Sequence, residues 1–354
     1  MLLYITAEDV LGSAPEPRGP DPLQGVPATL GALYDRGMRH HARRAVLQCA
    51  ELQAAPDWKL DRLVIRIALY GREKLGLEPG TRAVVFGRLG WLWPAAEFAV
   101  LGFGAAAVGI EHDVPDDALV AALREAAPRF VVATDTASAK RLLELRANHL
   151  APRIPLIAAD GGAPAGEALA LGQLLELGGT LDTPERAQAF RMLCRRTPPE
   201  AEALWHASAR GIEKLSHARA IERVAIRLRA RPPERGDLVY LQPRSVTLAS
   251  RLALAAYVGD GLTETALGSD GAMGDEVARL RPHGLRVGAE WLEAACRGCG
   301  PRWPAALGRR GARRRLQQRL GDRLRYVETE RRVDEATAGA VAAVGIDLVV
   351  EQPL

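Results

Sequence analysis

The residues with the types and spacing best suited to chemistry lie within residues 204–217. A phosphate-binding loop needs small residues, so that several backbone N–H groups can converge on an anion, and it adds a Lys or Arg and a hydroxyl. The stretch supplies these types through Ser208, Arg210, Gly211 and Lys214. We therefore predict that these four residues are what the chain keeps of a nucleotide-binding phosphate loop. The alternative is a surface loop without a ligand, and the lack of consecutive small residues favours that alternative.

The segments around this stretch must form the scaffold that positions it. Apolar runs of strand length alternate with helical patterns, which predicts an α/β fold with a doubly wound parallel sheet. Predicted strands lie at 43–47, 83–86, 105–110, 130–132, 154–158 and 346–350. Predicted helices lie at 29–35, 58–77, 91–103, 116–127, 137–146 and 334–344, and Asp116 is the predicted cap of its helix.

Short motifs that follow the order of these elements resemble one enzyme family. Leu77-Glu78-Pro79-Gly80 before a strand, followed by Trp93-Pro94 and Gly104-Ala105, resembles the first part of an acyl-CoA synthetase. The pair Ser216-His217 resembles the end of that family's phosphate loop, and Trp205 its leading aromatic residue. Later elements are matched by residues 235–243, 281–283 and 321–327. On these motifs the chain resembles the adenylate-forming (AMP-binding) superfamily, in particular the N-terminal domain of long-chain acyl-CoA synthetases.

The resemblance implies a fold and a reaction. In the family, two interleaved sheet lobes pack together and the substrate cleft lies between them. An active member uses ATP and Mg²⁺ to convert a carboxylic acid into an acyl-adenylate, and then transfers the acyl group to CoA. The resemblance also divides the chain into a Pro/Gly-rich lead-in, residues 1–26, and an incomplete AMP-binding-like domain, residues 27–354.

The sequence departs from the family pattern where the family does its chemistry. The Thr/Ser/Gly core of the phosphate loop is missing, and residues 328–333 place bulky charged side chains where the family has a Gly-rich turn. The β-barrel part, the metal-binding motif and the C-terminal domain with its catalytic Lys have no counterpart. We therefore expect a truncated, degenerate relative.

Composition limits the class of protein. The chain has 354 residues, 48% of them hydrophobic and 25% charged, as in globular proteins. Charged residues interrupt every apolar run, so we expect no transmembrane segment. Four cysteines and no signal-peptide pattern predict a cytoplasmic location. The preference for Arg over Lys, with abundant Ala and Gly, is typical of a GC-rich bacterial genome.

Three other groups of residues could carry chemistry. Cys296 and Cys299 have the spacing of half a zinc site or of a redox pair, but no second pair accompanies them, so incidental cysteines are the favoured interpretation. Between 302 and 332, eleven arginines face three acidic residues, which predicts either an anionic partner or, as we favour, a solvated face. The histidines His40, His41, His206 and His217 lack the spacing of a metal or catalytic motif.

These observations predict a non-catalytic AMP-dependent synthetase-like protein with a binding or scaffold role, no catalytic residues, no metal site and no cofactor. We expect a protein partner or an acyl group as its ligand, and we do not expect nucleic acid. The first alternative is a fatty-acid or acyl-CoA ligase completed by a separate chain, an AMP-forming acid–thiol ligase that would use ATP, Mg²⁺ and CoA. The second alternative is a basic-patch protein that binds nucleic acid or acidic lipid through residues 302–332.

Overall fold

The computed structural model describes residues 26–40, 47–48, 59–148, 150–159, 166–232, 234–242, 246–268, 273–297, 314 and 316–350. The predicted lead-in, residues 1–26, lies almost wholly outside these ranges. None of the described helices combines the length and the apolar composition that a bilayer span requires.

Helices and strands alternate along the described chain. The first part contains α1 (Leu30–His40), β1 (Leu47–Gln48), α2 (Leu60–Leu75), β2 (Arg82–Phe86), α3 (Leu92–Gly102), β3 (Ala106–Ile110), α4 (Asp116–Ala126), β4 (Val131–Ala133), α5 (Thr136–Ala147), β5 (Leu156–Ala158), β6 (Leu169–Ala170), α6 (Leu171–Leu181) and α7 (Pro184–Cys194). The second part contains β7 (Glu202–Ser208), β8 (Gly211–Ser216), α8 (His217–Ala230), β9 (Leu238–Leu241), α9 (Leu248–Asp260), β10 (Glu264–Leu267), α10 (Met273–Leu280), β11 (Gly284–Arg286), α11 (Ala289–Cys296), β12 (Tyr326–Thr329), α12 (Glu335–Ala343) and β13 (Asp347–Val350).

The strands form two sheets. The first sheet has the order β6-β5-β4-β2-β3-β7-β8, and its pairs are parallel except for the antiparallel β7–β8 pair. The second sheet has the order β1-β10-β9-β11-β12-β13 and is parallel throughout. The predicted α/β fold with parallel sheets is therefore confirmed.

Three apolar cores follow from the two-residue period of the strands. In β2, Val85 faces a central core that the two sheets share with seven helices, whereas Val84 faces a separate core with α4 and α5. In β9, Val239 faces the central core and Tyr240 a third core with α10, α11 and α12. Because successive side chains of a strand point to opposite faces, strands covered on both sides are apolar at nearly every position.

Most predicted elements have their predicted positions, but two details differ. Asp116 is the first residue of α4 instead of its cap, and its carboxylate accepts a hydrogen bond from Arg141 Nε at 2.7 Å. Residues 204–217 form two paired strands and the start of a helix, whereas the sequence suggested a loop.

A buried arginine joins the two halves of the molecule. Arg251, on α9, has a fully buried side chain whose Nε donates to Glu97 Oε2 on α3 at 2.7 Å. Its Nη1 and Nη2 donate to the carbonyl oxygens of Trp205 and Ala107 in the first sheet, at 2.5 and 2.8 Å. Glu97 also accepts a hydrogen bond from Trp93 Nε1 at 2.9 Å, so both partners of the ion pair have further hydrogen bonds. Such additional hydrogen bonds are what make a buried ion pair tolerable.

Removing the guanidinium should destabilise the fold strongly. Arg251→Met leaves the Glu97 carboxylate buried without its cation, so we expect a loss of about 3–5 kcal/mol in the free energy of unfolding. Adding Glu97→Gln removes the charge but keeps an acceptor for Trp93, and this double variant should recover part of the loss. Urea unfolding followed by circular dichroism measures both effects. The control is Arg219→Met, which breaks an exposed pair with Glu222 and should cost less than about 1 kcal/mol. If Arg251→Met lowers the free energy of unfolding as little as the control does, the buried ion pair does not stabilise the fold in this way.

Protonation of His217 should oppose folding at acidic pH. His217 is completely buried at the start of α8, and its Nδ1 accepts a hydrogen bond from the Leu30 N–H of α1 at 3.2 Å. Burial lowers the pKa of His217 to about 4. The unfolded chain, with a pKa of about 6.5, takes up a proton that the folded chain does not, so stability falls as the pH drops from about 6.5 towards 4.

The variant His217→Asn keeps an acceptor and removes the titration. Relative to the wild type, its free energy of unfolding should therefore rise as the pH falls, by up to about 3 kcal/mol near pH 4. Urea unfolding at pH 7 and at pH 4.5 measures the difference. His283→Asn is the matched control, because His283 Nδ1 also accepts a backbone N–H, that of Leu238 at 3.1 Å, but His283 is only partly buried. His283→Asn should change the pH dependence of the free energy of unfolding in the same direction but by less. An equal or larger change would contradict the conclusion that burial of His217 causes the effect.

Candidate functional site

A cleft lies where the carboxyl ends of strands from both sheets meet. Its volume is about 490 Å³. Ligands of open α/β sheets bind at this edge, because the loops that follow the strands converge there. The lining residues are Arg88, Leu89, His112, Asp113, Leu241, Gln242, Thr247, Ser250, Arg286, Val287, Gly288 and Glu330. Because both sheets contribute loops, this cleft is the best candidate for a ligand site in the described chain.

Each sheet contributes a cation and a carboxylate to the cleft. Arg88 and Asp113 follow β2 and β3 of the first sheet, while Arg286 and Glu330 come from β11 and the end of β12 in the second sheet. Thr247 and Ser250, at the start of α9, add hydroxyl groups between these walls. The cleft therefore suits a polar ligand that is held by charged groups and hydrogen bonds.

Hydrogen bonds fix the loops that carry these side chains. The Arg88 N–H donates to Asp135 Oδ2 at 2.9 Å, which joins the loop after β2 to the cap of α5. Across the second sheet, the Gly288 N–H donates to Gln242 Oε1 at 2.8 Å. The Ala289 N–H, at the start of α11, donates to Glu330 Oε1 at 3.3 Å. These contacts hold the loops of the second-sheet wall against one another.

Two histidines lie on or near the wall that the first sheet forms. His112 lines the cleft, and its buried Nδ1, 3.8 Å from Asp113 Oδ1, makes no hydrogen bond. His206, near the end of β7, has its Nε2 3.1 Å from Glu111 Oε1, which comes directly after β3. The sequence analysis named His206 but found no acidic partner for it, because this partner lies 95 residues away along the chain.

The four predicted site residues lie in one tight hairpin. Ser208 ends β7 and pairs with Gly211, the first residue of β8, so only Ala209 and Arg210 form the turn. The Arg210 N–H donates to Ser208 Oγ at 3.2 Å. Gly211 has φ +117°, a value that glycine adopts readily and that L side chains rarely adopt. Phosphate binding by these residues stays a prediction, but the structure brings them together in a turn and not in an open loop.

Lys214 lies on β8, beyond the turn. Its Nζ is 2.9 Å from Glu125 Oε1 and 3.8 Å from the centre of the Trp205 ring. Arg82 contacts the same ring, with its guanidinium carbon 4.3 Å from the centre. Lys214 therefore already has a carboxylate and an aromatic partner on the surface of the first sheet.

The other predicted groups are only partly described. Cys296 is buried at the end of α11, while Cys299 lies outside the described residues. Among the described residues, no three His, Cys, Asp or Glu side chains form a group that could hold a metal ion. His41 also lies outside the described ranges.

The arginine cluster at residues 302–332 lies partly outside the described ranges, since residues 298–313 and 315 are not described. Arg319 donates to the carbonyl oxygen of Ala295 at 2.8 Å. Arg325 pairs with Glu234 at 2.5 Å, and Arg331 with Glu290 at 2.8 Å. Several of the described arginines therefore bind groups of the same chain, as a solvated face of the protein would.

Sequence reasoning missed Arg88, His112, Gln242 and Arg286, which line the cleft. Each of them follows or ends a predicted strand or a strand-like motif, and that position was the available signal. Their side chains form no motif within a short stretch of sequence, so only the sheet order shows that they meet.

Comparison with known proteins shows what parts of the chain are similar to. The AMP-binding enzyme family model matches residues 59–202. No curated protein matches the sequence. Three solved structures have the same fold: the N-terminal domain of FACL13 from Mycobacterium tuberculosis, a putative long-chain fatty-acid CoA ligase from Rhodopseudomonas palustris, and the luciferase-like enzyme of the mealworm Zophobas morio.

The three structures match this chain to a similar extent. FACL13 gives 13% identity and a TM-score of 0.66, over 92% of this chain and 76% of the other. The Rhodopseudomonas ligase gives 14% and 0.66, over 90% and 74%, and the mealworm enzyme gives 12% and 0.70, over 92% and 72%. At such identity the structures establish the fold alone. The family match over residues 59–202 and this shared fold confirm the predicted resemblance: residues 59–202 match the AMP-binding enzyme family, and the chain has the fold of the N-terminal part of adenylate-forming enzymes.

Proposed function

We propose that this protein is a non-catalytic relative of the adenylate-forming enzymes, which binds a small carboxylic acid or a protein partner and does not activate it. The observation that carries the proposal is the hairpin of β7 and β8, which occupies the predicted position of the phosphate loop. The cleft between the sheets is the proposed binding site. The experiment that tests the proposal is a titration with Mg·ATP.

The hairpin does not fit a triphosphate. Anion binding by backbone requires several N–H groups that point to one place and are not already bonded. Residues 202–208 and 211–216 instead pair with each other along the ladder, and the Arg210 N–H bonds to Ser208 Oγ. A two-residue turn therefore offers few backbone donors that could converge on the β- and γ-phosphates.

The charge near the cleft also opposes a nucleotide. Arg88 and Arg286 are matched there by Asp113 and Glu330, so the cleft offers no excess of positive charge to a polyphosphate, and the two carboxylates repel it. Lys214, on β8 beyond the turn, is held by Glu125 and Trp205. A carboxylic acid carries a single charge and suits walls that alternate cations and carboxylates.

Mg·ATP should give no saturable heat in a calorimetric titration of the purified protein, up to about 1 mM, the upper end of ordinary substrate affinities. In a panel of fatty, aromatic and short-chain acids, each acid that binds should have the same affinity with and without Mg·ATP, because no adenylate forms. Micromolar binding of Mg·ATP, with release of pyrophosphate when an acid is added, would support the ligase alternative instead.

Two lysine variants give the titration a matched control. If Mg·ATP binds through the predicted remnant loop, Lys214→Ala should weaken the binding, whereas Lys140→Ala, which changes another exposed lysine, should leave it unchanged. If the proposal is correct, both variants, like the wild type, give no saturable heat on titration with Mg·ATP. A loss confined to Lys214→Ala would therefore identify a working phosphate site and refute the non-catalytic assignment.

A further inference from the structure

The inner face of β12 connects two cavities. Tyr326 and Glu328 alternate along the strand, so their side chains lie on the same face, and Glu330 follows directly after its carboxyl end. Glu330 lines the cleft at the carboxyl end. Tyr326 lines a second cavity of about 190 Å³ at the amino end, which α8 and α9 also border. With a rise of about 3.3 Å per residue, about 13 Å separates residues 326 and 330, and Glu328 lies midway.

Three arginines hold Glu328 at this midpoint. Glu328 is only 1% exposed, and Arg286 Nη1 lies 3.2 Å from its Oε2. Arg227, in the last turn of α8, and Arg231, directly after that helix, bond to Oε2 and Oε1 of the same carboxylate. The guanidiniums are themselves largely buried, with exposed fractions of 12–22%. We call these four residues the charged plug.

The charged plug reaches both cavities. Arg286 lines the cleft, and Arg231 lines the second cavity, where its guanidinium stacks over the Tyr326 ring at 4.8 Å. Arg227 donates to the Tyr257 hydroxyl at 3.3 Å, and Tyr257 also lines the second cavity. The space between the two cavities is therefore occupied by ion pairs that are fixed by aromatic contacts and hydrogen bonds.

An apolar chain could pass only by breaking these contacts. Separating a buried carboxylate from its guanidiniums leaves uncompensated charge in an environment of low dielectric constant. The burial of a few methylene groups is a smaller gain than this loss. A short polar acid, by contrast, can bind in the cleft without moving the charged plug, and Arg286 presents a donor that pairs well with carboxylates.

We propose that Glu328, Arg227, Arg231 and Arg286 close the cleft towards the second cavity and thereby determine its specificity, so that it accepts short polar carboxylic acids and excludes apolar acyl chains. This inference rests on the cleft being the ligand site, as in the proposed function, but it holds whether or not the protein is catalytic.

The test compares binding of succinate, butyrate and decanoate by calorimetry. The wild type should bind at least one of the two short acids and give no saturable binding of decanoate. A plug-free variant, Arg227→Met/Arg231→Met/Arg286→Met/Glu328→Leu, should bind decanoate at least about tenfold more tightly than the wild type, because the two cavities become continuous and apolar. Exchange of all four charges is the design of choice, since replacement of whole buried ion-pair groups by apolar residues is often neutral for folding.

Two outcomes would overturn the proposal: decanoate binding to the wild type as tightly as either short acid, or a folded plug-free variant that gains no decanoate affinity. Failure of both short acids to bind would overturn the assigned ligand class. If the plug-free variant does not fold, Arg231→Ala, which opens the second cavity alone, should still leave decanoate excluded, because Glu328 and Arg286 stay paired.

The result is separable from that of the Mg·ATP titration. Binding of Mg·ATP together with exclusion of decanoate would refute the non-catalytic assignment and keep the charged plug. Binding of decanoate without any binding of Mg·ATP would refute the role of the charged plug and keep the non-catalytic assignment.

Discussion

One buried guanidinium links the two halves of this fold. Arg251 comes from α9, which packs against the second sheet, yet its donors bond to carbonyl oxygens of β3 and β7 in the first sheet and to Glu97 on α3. Gly109 makes this approach possible, because a Cβ at that position would lie 2.7 Å from Arg251 Nη1. The start of the same helix carries Thr247 and Ser250 into the cleft. The position of the hydroxyl groups in the cleft therefore depends on an interaction in the core.

The cleft, too, depends on contacts between the two sheets, because each sheet forms one of its walls. Its first wall comes from the loops after β2 and β3, and its second from the ends of β9, β11 and β12. The helices between the sheets, with the Arg251–Glu97 pair among them, set the distance between the walls and thus the volume of the cleft.

Most of the fold could be predicted from the sequence, because strands buried on both faces give apolar runs and helices give a 3.6-residue period. The strand at 83–86 and the helix at 58–77 are examples that agree with β2 and α2 to within a few residues. The hairpin of β7 and β8 was missed. Residues 203–207 are all buried, so β7 lacks the alternation that marks a half-exposed strand, and the family resemblance suggested a loop there.

The site was less predictable than the fold, for a physical reason. The lining residues of the cleft and the partners of Glu328 are brought together by sheet order, over separations of about a hundred residues such as Arg227 to Glu328. From its charge and its many arginine neighbours in sequence, Glu328 would be expected on a solvated surface. Its burial, at 1% exposure, is not something that local charge pattern predicts.

The structure gives the charged residues at 328–332 a different explanation from the one that the sequence suggests. In the sequence, they stand where the family that the chain resembles has a Gly-rich turn, and this position suggests that a nucleotide contact is missing. In the structure, Glu328 gathers three arginines from α8 and β11, and Glu330 bonds to the start of α11. A buried carboxylate with three guanidiniums is stable only if every partner is in place, so it rigidifies the strand, the helix and the edge of the cleft at once. The ion-pair group around Glu328 and the charged residues that follow it therefore act as one structural unit, which gives this edge of the cleft a fixed polar wall.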